Sequence, residues 1–153
     1  NEIGYNLRLS NIQAAMGCGQ LKNLSWIIKR KREIGQRYYS QLKFNKKIFI
    51  QPKNNHYSKN IYWVFGVLLN KKTKIERNKI MNALLRKKIQ TRSFFTPMHK
   101  QKIFKKMGIF SKRKKYPNAE FLSENGFYLP SGLGITNHEI DYVSKTLKNI
   151  LDN

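Results

Sequence analysis

A chain of 153 residues is long enough for one domain with a hydrophobic core. Hydrophobic residues make up 40% of it and aromatic residues 12%, a composition typical of globular rather than disordered proteins. The net charge of +23 comes from 31 Lys and Arg against 8 Asp and Glu, and such an excess attracts polyanions.

The basic residues do not form one patch in the sequence. They include Lys29–Arg32, Arg86–Lys88 and Lys112–Lys115, which lie in different segments. Lys, Asn, Ile, Phe and Tyr are abundant together, and because they share A/T-rich codons, a biased genome is sufficient to explain the charge. A basic nucleic-acid-binding module is the alternative. Trp26, Trp63 and eight tyrosines favour this alternative, but the aromatic residues mostly fall at core-type positions, so we expect no stacking platform and no specific nucleic-acid partner.

The longest apolar run, Ile61–Leu69, has the length of a strand and is too short to cross a bilayer. The single cysteine, Cys18, excludes an internal disulfide and suits a reducing compartment, so we predict a soluble, cytoplasmic protein. Because Cys18 lies between Gly17 and Gly19 in a helical stretch, we expect a small core thiol rather than a nucleophile.

Three helices have a predicted start at which Ser or Thr is followed three residues later by Glu or Gln. Cap and third residue can then satisfy each other's backbone N–H groups. The pairs are Ser10 and Gln13, Thr73 and Glu76, and Thr136 and Glu139.

The first pair opens a long helical region, residues 11–43, in which Gly17, Gly19 and Asn23 predict a break near 22–25. Apolar residues at helical spacing should face a core, whereas Lys29–Arg32 should be solvated surface. These apolar residues are Ile27, Ile34, Tyr38 and Leu42.

β-branched and aromatic segments predict strands at 47–51, 61–69, 89–94 and 127–129, with 61–69 as a buried central strand. Further helices are predicted at 75–87, from Pro117 to Glu124, and at the C-terminus. The residues that should turn inward from the first and last of these are Ile80, Met81, Leu84, Leu85, Ile140, Val143, Leu147, Ile150 and Leu151. This order predicts an α/β protein of two layers, with a small mixed or antiparallel sheet.

The residues offer little for free-standing catalysis. His56, His99 and His138 lie in separate segments with no Cys or carboxylate at ligand spacing, so we expect no metal site. The sequence has no Gly-rich phosphate loop or nucleophile elbow, and its few carboxylates argue against a paired-carboxylate hydrolase.

The N-terminal segment is a candidate anion site. Asn6 precedes a capped helix N-terminus, where an amide donor and the helix dipole favour an anion, and Arg8 could add a charged bidentate donor. An ordinary loop around Gly4 explains the same residues equally well, and the two interpretations stay open on these grounds.

Three stretches in order resemble a known family. Gly4–Leu21, with Gly-Tyr-Asn-x-Arg-x-Ser-Asn-Ile-Gln-Ala-Ala at its start, is similar to the signature of the DegT-type sugar-nucleotide aminotransferases. Thr91–Gln101 resembles that family's substrate loop, and Tyr116–Glu120 with Gly126–Gly132 resembles its C-terminal end. The Arg-x-Phe-Phe-x-Pro-x-His and Leu-Pro-Ser-Gly stretches look most like its perosamine-forming members, although Lys102 stands where many of these have proline.

The resemblance implies the C-terminal small domain of a fold-type I enzyme that uses pyridoxal 5'-phosphate (PLP) and works as a homodimer with shared active sites. Residues 1–45 would be the helical segment after the large domain, and residues 46–153 the small α/β domain. Asn6 matches the residue that reaches the PLP phosphate of the neighbouring subunit. The residues that match the inter-subunit edge and the sugar-nucleotide pocket are Tyr5, Arg8, Arg92, Phe94, Phe95 and His99.

In the family, the lysine that forms the Schiff base lies upstream of the Gly-Tyr-Asn motif, so none of this chain's lysines is expected to be catalytic. The implied reaction is amination of a nucleotide-linked 4-keto-6-deoxysugar, with glutamate as the donor, in surface-polysaccharide biosynthesis. A catalytically inactive family member is the remaining alternative.

Overall fold

The structure is a computed structural model of an α/β protein, with helices packed on an antiparallel sheet. It describes residues 8–51, 54, 56–73, 75–110 and 115–152. No helix in the described part of the chain is both long and apolar enough to cross a membrane.

Two consecutive helices open the chain, α1 (Asn11–Lys22) and α2 (Leu24–Leu42). The capping box at Ser10 is confirmed, since the Gln13 amide donates to the Ser10 hydroxyl at 3.3 Å and the Ser10 amide donates to the Gln13 side chain at 3.0 Å. The expected break falls at Asn23, whose amide donates to Gln20 and Leu21 carbonyls instead of continuing the helix.

Four short strands form one sheet in the order β1-β2-β4-β3, with every neighbouring pair antiparallel. They are β1 (Ile48–Ile50), β2 (Phe65–Leu69), β3 (Arg92–Ser93) and β4 (Gly126–Leu129). β2 begins later than residue 61 because Tyr62 has a φ of 51° and donates its amide to the Asn60 side chain at 2.7 Å, which turns the chain before the ladder begins.

Four more helices follow α2: α3 (Arg77–Arg86), α4 (Lys102–Lys106), α5 (Pro117–Asn125) and α6 (Asn137–Asp152). Pro117 is the first residue of α5, as expected. The Thr136–Glu139 capping box is confirmed, with the Thr136 amide 2.7 Å from the Glu139 carboxylate. The pair at Thr73 is not a capping box: Glu76 is the N-cap of α3, and the Thr73 hydroxyl donates to the Lys47 carbonyl at 2.6 Å.

One hydrophobic core lies between the sheet and the helices α2, α3 and α6. It buries alternate strand residues and one stripe of each helix, as the helical and strand spacings predict. Its largest members are Tyr38, Phe65, Phe127, Ile34, Leu42, Ile80, Leu84, Ile140, Leu147, Leu151 and Val67. The two-layer α/β architecture with a small antiparallel sheet is thus confirmed.

Several side chains expected in the core are exposed. Leu85 is 59% exposed and Trp63, which falls in the predicted buried strand, is 69% exposed, so both predictions were wrong. Trp26 is also exposed, at 58%. Cys18 is also exposed, because no residue of α1 is buried in the described structure. Helix α1 is therefore well capped but buries little of its surface against the rest of the described structure.

Candidate functional site

A cleft of about 920 Å³ opens where β3 and β4 meet α6 and the end of α3. Lys87, Lys88 and Arg92 line it together with Tyr128 and Tyr142. Glu139 is also a lining residue, and its carboxylate accepts hydrogen bonds from Thr136. Cations beside aromatic surfaces suit an anionic ligand that carries a ring.

A tight turn after α3 brings Lys88 to the cleft. The Ile89 amide donates to the Leu84 carbonyl at 3.0 Å and the Lys88 amide donates to the Leu85 carbonyl at 2.8 Å. This pair of bonds is the Schellman arrangement, in which glycine usually occupies the left-handed position. Lys88 occupies it here with a φ of 59°, so the chain keeps an exposed cation where glycine would fit with less strain.

The loop Ser131–Ile135 forms another wall of the cleft and is held by α2. The Tyr38 hydroxyl donates to the Pro130 carbonyl at 2.8 Å, and the Lys31 ammonium donates to the Ser131 carbonyl at 2.7 Å. Arg30 donates to the carbonyls of Leu133, at 3.3 Å, and Ile135. These four carbonyls therefore all bond to one helix.

The basic run Lys29–Arg32 is mostly structural. Arg30, Lys31 and Arg32 are partly buried, and Arg32 donates to the Asn60 carbonyl at 3.3 Å. Burial lowers the pKa of the Lys31 ammonium. The prediction of a solvated surface was therefore wrong for three of these four residues, and only Lys29 is exposed.

Arg92, Phe94 and Phe95 come together around Tyr128. Arg92 is paired with Tyr128 across the β3–β4 ladder, the Phe94 ring stacks on Tyr128 at 4.6 Å between centroids, and the Phe95 ring lies 6.2 Å away. Of these three residues, Arg92 lines the cleft.

Glycines make room for Phe94 on the sheet face opposite the core. A Cβ atom at Gly126 would lie 2.2 Å from the Phe94 ring, and one at Gly66 would lie 3.0 Å from it. Phe94 is therefore half-buried, whereas Phe95 is 73% exposed. The two neighbouring rings have different environments, although the family resemblance implies the same role for both.

His99 lies against α5 rather than in the cleft. Its ring stacks on Tyr116 at 4.6 Å between centroids, and its Nε2 lies 3.1 Å from the Glu120 carboxylate. Lys100 lies 3.4 Å from Glu120 and 2.7 Å from Glu124. Partial burial alone would raise the pKa of Glu120, but the bond with His99 and the charge of Lys100 bring this pKa below its ordinary value. These contacts hold the segment after β3 to α5.

The N-terminal candidates are mostly outside the described part. Tyr5 and Asn6 lie outside the described residues, and Arg8 is exposed two residues before the Ser10 cap. The roles assigned to Tyr5, Asn6, Arg8, Arg92, Phe94, Phe95 and His99 all stay predictions. Among the residues that the structure describes, no group of three or more His, Cys, Asp or Glu could hold a metal ion.

Lys88, Tyr128 and the Ser131–Ile135 wall are parts of the cleft that no sequence pattern identified as a site. The Leu-Pro-Ser-Gly stretch carries part of the family resemblance, but nothing in its pattern indicates that Tyr38 and Lys31 bond to it, or that Arg30 bonds to the residues just after it, across about a hundred positions. Such long-range bonds depend on the packing of α2 beside α6, which a single sequence does not specify.

Known proteins resemble this chain over nearly its whole length. The model of the DegT/DnrJ/EryC1/StrS aminotransferase family matches residues 1–148. The chain is 32% identical over 145 residues to the GDP-perosamine synthase of Escherichia coli O157:H7, and 27% identical over 147 residues to that of Vibrio cholerae. These matches cover 95% and 96% of this chain but 37% and 39% of the relatives, so the chain spans less than two fifths of their length.

Solved structures share the fold. Helicobacter pylori PseC, an aminotransferase involved in pseudoaminic acid biosynthesis, superposes with a TM-score of 0.83 at 17% identity, over 99% of this chain and 40% of that one. Escherichia coli GDP-4-keto-6-deoxy-D-mannose-3-dehydratase superposes with a TM-score of 0.75 at 22% identity, over 94% of this chain and 36% of that one.

The antiparallel sheet and its helical layer place the chain in the class of α/β domains found in these solved aminotransferase and dehydratase structures. Within that class, the chain belongs to the DegT/DnrJ/EryC1/StrS aminotransferase family.

Proposed function

We propose that this chain is the C-terminal part of a PLP-dependent aminotransferase that aminates a nucleotide-linked 4-keto-6-deoxysugar, with glutamate as the amino donor, in surface-polysaccharide sugar biosynthesis. The match to the aminotransferase family over residues 1–148 carries this proposal. The relatives named GDP-perosamine synthase support a perosamine-type product.

The cleft supports the substrate class. A nucleotide sugar presents a diphosphate and flat or ring-shaped groups, and the cleft offers Lys88 and Arg92 beside the Tyr128 ring. In this proposal Arg92 pairs with a phosphate oxygen, and Phe95, which is 73% exposed, packs on the sugar or base. Phe94 and His99 belong to the same segment and position it through their contacts with Tyr128 and Tyr116.

In this proposal PLP is held by residues near the N-terminus of the chain. Asn6 precedes the capped N-terminus of α1, where a side-chain amide and a helix N-terminus suit a phosphate group, so the residues present fit PLP. PLP, when bound, supplies an electron sink for the transfer of the amino group. In the homodimer, Asn6 would donate to the phosphate in the neighbouring subunit, while Tyr5 and Arg8 would line the edge between subunits.

Mixed dimers test the proposal in a protein of the relatives' full length that carries this chain. A lost hydrogen bond to a charged group costs about 1.5–3 kcal/mol, so Asn6→Ala should weaken PLP retention roughly tenfold to a hundredfold. Mixing Asn6→Ala subunits with subunits that lack the catalytic lysine should restore some transaminase activity. In a mixed dimer, one active site has both the catalytic lysine and an intact Asn6 from the neighbouring subunit.

Melting of the Asn6→Ala protein without PLP is the structural control and should show little change. Absence of any restored activity in the mixed dimers would contradict a role of Asn6 across the interface. Absence of transamination by the unaltered protein with nucleotide-linked 4-keto sugars would contradict the proposed activity and favour an inactive family member.

A further inference from the structure

We propose that Arg30 and Lys31 are positioning residues that fix the Ser131–Ile135 wall of the cleft, and that the cleft's affinity for its ligand depends on them. The identity of the ligand as a nucleotide sugar rests on the proposed function. The positioning itself rests on the geometry of α2 and this wall.

Only part of the wall packs against the rest of the domain: Ile135 is partly buried against the hydrophobic core, whereas Gly132 and Gly134 are exposed. Gly132 and Gly134 have open space where a Cβ atom would lie, and one turn bond, from the Ile135 amide to the Gly132 carbonyl at 3.1 Å, spans the loop. Lys31 and Arg30 supply three bonds from outside, to the carbonyls of Ser131, Leu133 and Ile135. The path of the loop therefore depends on these three bonds from α2 as well as on the packing of Ile135.

The donors are themselves held in place. The Arg30 guanidinium lies 3.4 Å from the Glu33 carboxylate, and its side chain is 20% exposed. A planar guanidinium presents donors in a fixed fork, so Arg30 can bond to two carbonyls at once, which an ammonium group does less well. Bonds from charged donors are about twice as strong as neutral ones.

The loop that accepts the three bonds from Arg30 and Lys31, which together form the clamp, also lines the cleft. Ser131, Gly132, Gly134 and Ile135 line the cleft, and the chain then enters the Thr136–Glu139 capping box of α6. Of these wall residues, Ile135 packs against the hydrophobic core, but no residue of the loop belongs to the buried set that forms the core itself. Loss of the clamp should therefore move the wall without unfolding the sheet.

The first arm of the test measures amide hydrogen exchange in a protein of the relatives' full length that carries this chain, for Arg30→Met, Lys31→Met and the conservative Arg30→Lys. The reporters are the Ile135 and Thr136 amides, which are bonded in the unaltered chain, against the mid-helix amide of Leu147. Exchange at both reporters should rise about tenfold in Arg30→Met, as expected for losing a charged donor, while Leu147 stays within about twofold. Lys29→Met is the matched control, because Lys29 is an exposed neighbour in the same helix.

The second arm measures steady-state kinetics in a protein of the relatives' full length. Arg30→Met and Lys31→Met should each raise KM for the nucleotide sugar about tenfold and leave kcat within about threefold, because the wall shapes binding rather than the amino transfer. Arg30→Lys should keep more affinity than Arg30→Met, because the lysine ammonium can still donate to one of the two carbonyls that Arg30 binds.

The outcomes separate the two proposals. Unchanged exchange at Ile135 and Thr136 in both methionine variants overturns the clamp. Faster exchange with an unchanged KM makes the clamp merely structural and overturns the positioning role. If the unaltered protein shows no transamination while the variants show faster exchange in the wall, the proposed function is contradicted and the clamp is still supported. In that case, calorimetry with the nucleoside diphosphate alone replaces the KM measurement. Tenfold weaker binding by Arg30→Met then supports the positioning role, and equal binding overturns it.

Discussion

At the scale of single residues, Lys88 has a strained backbone conformation and also lines the cleft. A left-handed backbone costs a residue with a Cβ atom about 1–2 kcal/mol, and glycine avoids this cost. Lys88 nevertheless holds this position with a φ of 59° and lines the cleft beside Arg92. Strain of this kind concentrates at functional positions, so Lys88 joins the candidate ligand contacts.

Replacing Lys88 should therefore separate stability from binding. Lys88→Gly should raise the free energy of unfolding by up to about 1 kcal/mol, because the Schellman turn then has its preferred residue. Lys87→Gly is the matched control and should not stabilise, since Lys87 has a φ of −93°. Urea unfolding measures both variants, and a less stable Lys88→Gly chain would contradict the strain argument.

Phe94 and Phe95 form a second matched pair. Phe94→Ala should lower the free energy of unfolding by about 1–3 kcal/mol, less than for a fully buried ring, because the Phe94 ring fills the space over Gly66 and Gly126 and stacks on Tyr128. Phe95→Ala should change it by less than about 0.5 kcal/mol, since Phe95 is 73% exposed. Equal costs in urea unfolding would contradict the different environments of the two rings.

At the scale of elements, α1 and α6 begin with the same kind of capping box but differ in what they bury. Helix α1 buries no residue in the described structure, whereas α6 buries Ile140, Val143 and Leu147. A cap can stabilise the whole protein only when its helix is part of the cooperative core.

Removal of the two caps should therefore have different results. Thr136→Ala should lower the free energy of unfolding by about 1 kcal/mol, the typical cost of a lost N-cap. Ser10→Ala should reduce helix content at 11–22, seen by circular dichroism and hydrogen exchange, and leave the urea midpoint unchanged. A lower midpoint for Ser10→Ala would mean that α1 unfolds together with the core.

The sequence was informative where local chemistry decides the structure. Asn23 ends α1, Pro117 begins α5, and the boxes at Ser10 and Thr136 form as expected, because the deciding groups lie within a few residues of each other. The Thr73 prediction was wrong because its hydroxyl bonds to the Lys47 carbonyl, 26 positions away.

The sequence was uninformative where distant packing decides. Leu85 fits an apolar stripe by type, but the core lies on the Ile80 and Leu84 side of α3. Likewise, the run Lys29–Arg32 has the composition of a solvated surface, and only the folded position of the Ser131–Ile135 loop shows what Arg30 and Lys31 bond to.

At the scale of the whole molecule, α2 and α6 are joined by polar contacts beside the core. Asp141 accepts from Arg37 at 2.7 and 2.6 Å and from the Gln41 amide. The bond from Arg37 is the largest of the effects that lower the pKa of the Asp141 carboxyl below its ordinary value of 3.8. The ionised form of Asp141 thus favours the folded state.

This contact predicts a pH dependence with a definite sign. A carboxyl whose pKa is lower in the folded state stabilises the fold fully above its unfolded pKa, and this stabilisation is lost as the pH falls through the folded pKa. The contribution of Asp141 should therefore be complete above about pH 5 and decline below 3.8. Asp141→Asn should lower stability at pH 6 and reduce the slope of stability against pH in acid, as measured by urea unfolding; an unchanged acid slope would contradict the argument.

The clamp on the cleft wall uses only main-chain acceptors. Lys31 and Arg30 bond to the carbonyls of Ser131, Leu133 and Ile135, and since every residue type possesses a carbonyl, these bonds do not depend on the side chains at the three positions. A substitution at Ser131, which lines the cleft, can therefore change what the wall presents to a ligand while the backbone keeps its path. The arrangement gives the domain a route by which ligand preference can diversify on an unchanged frame.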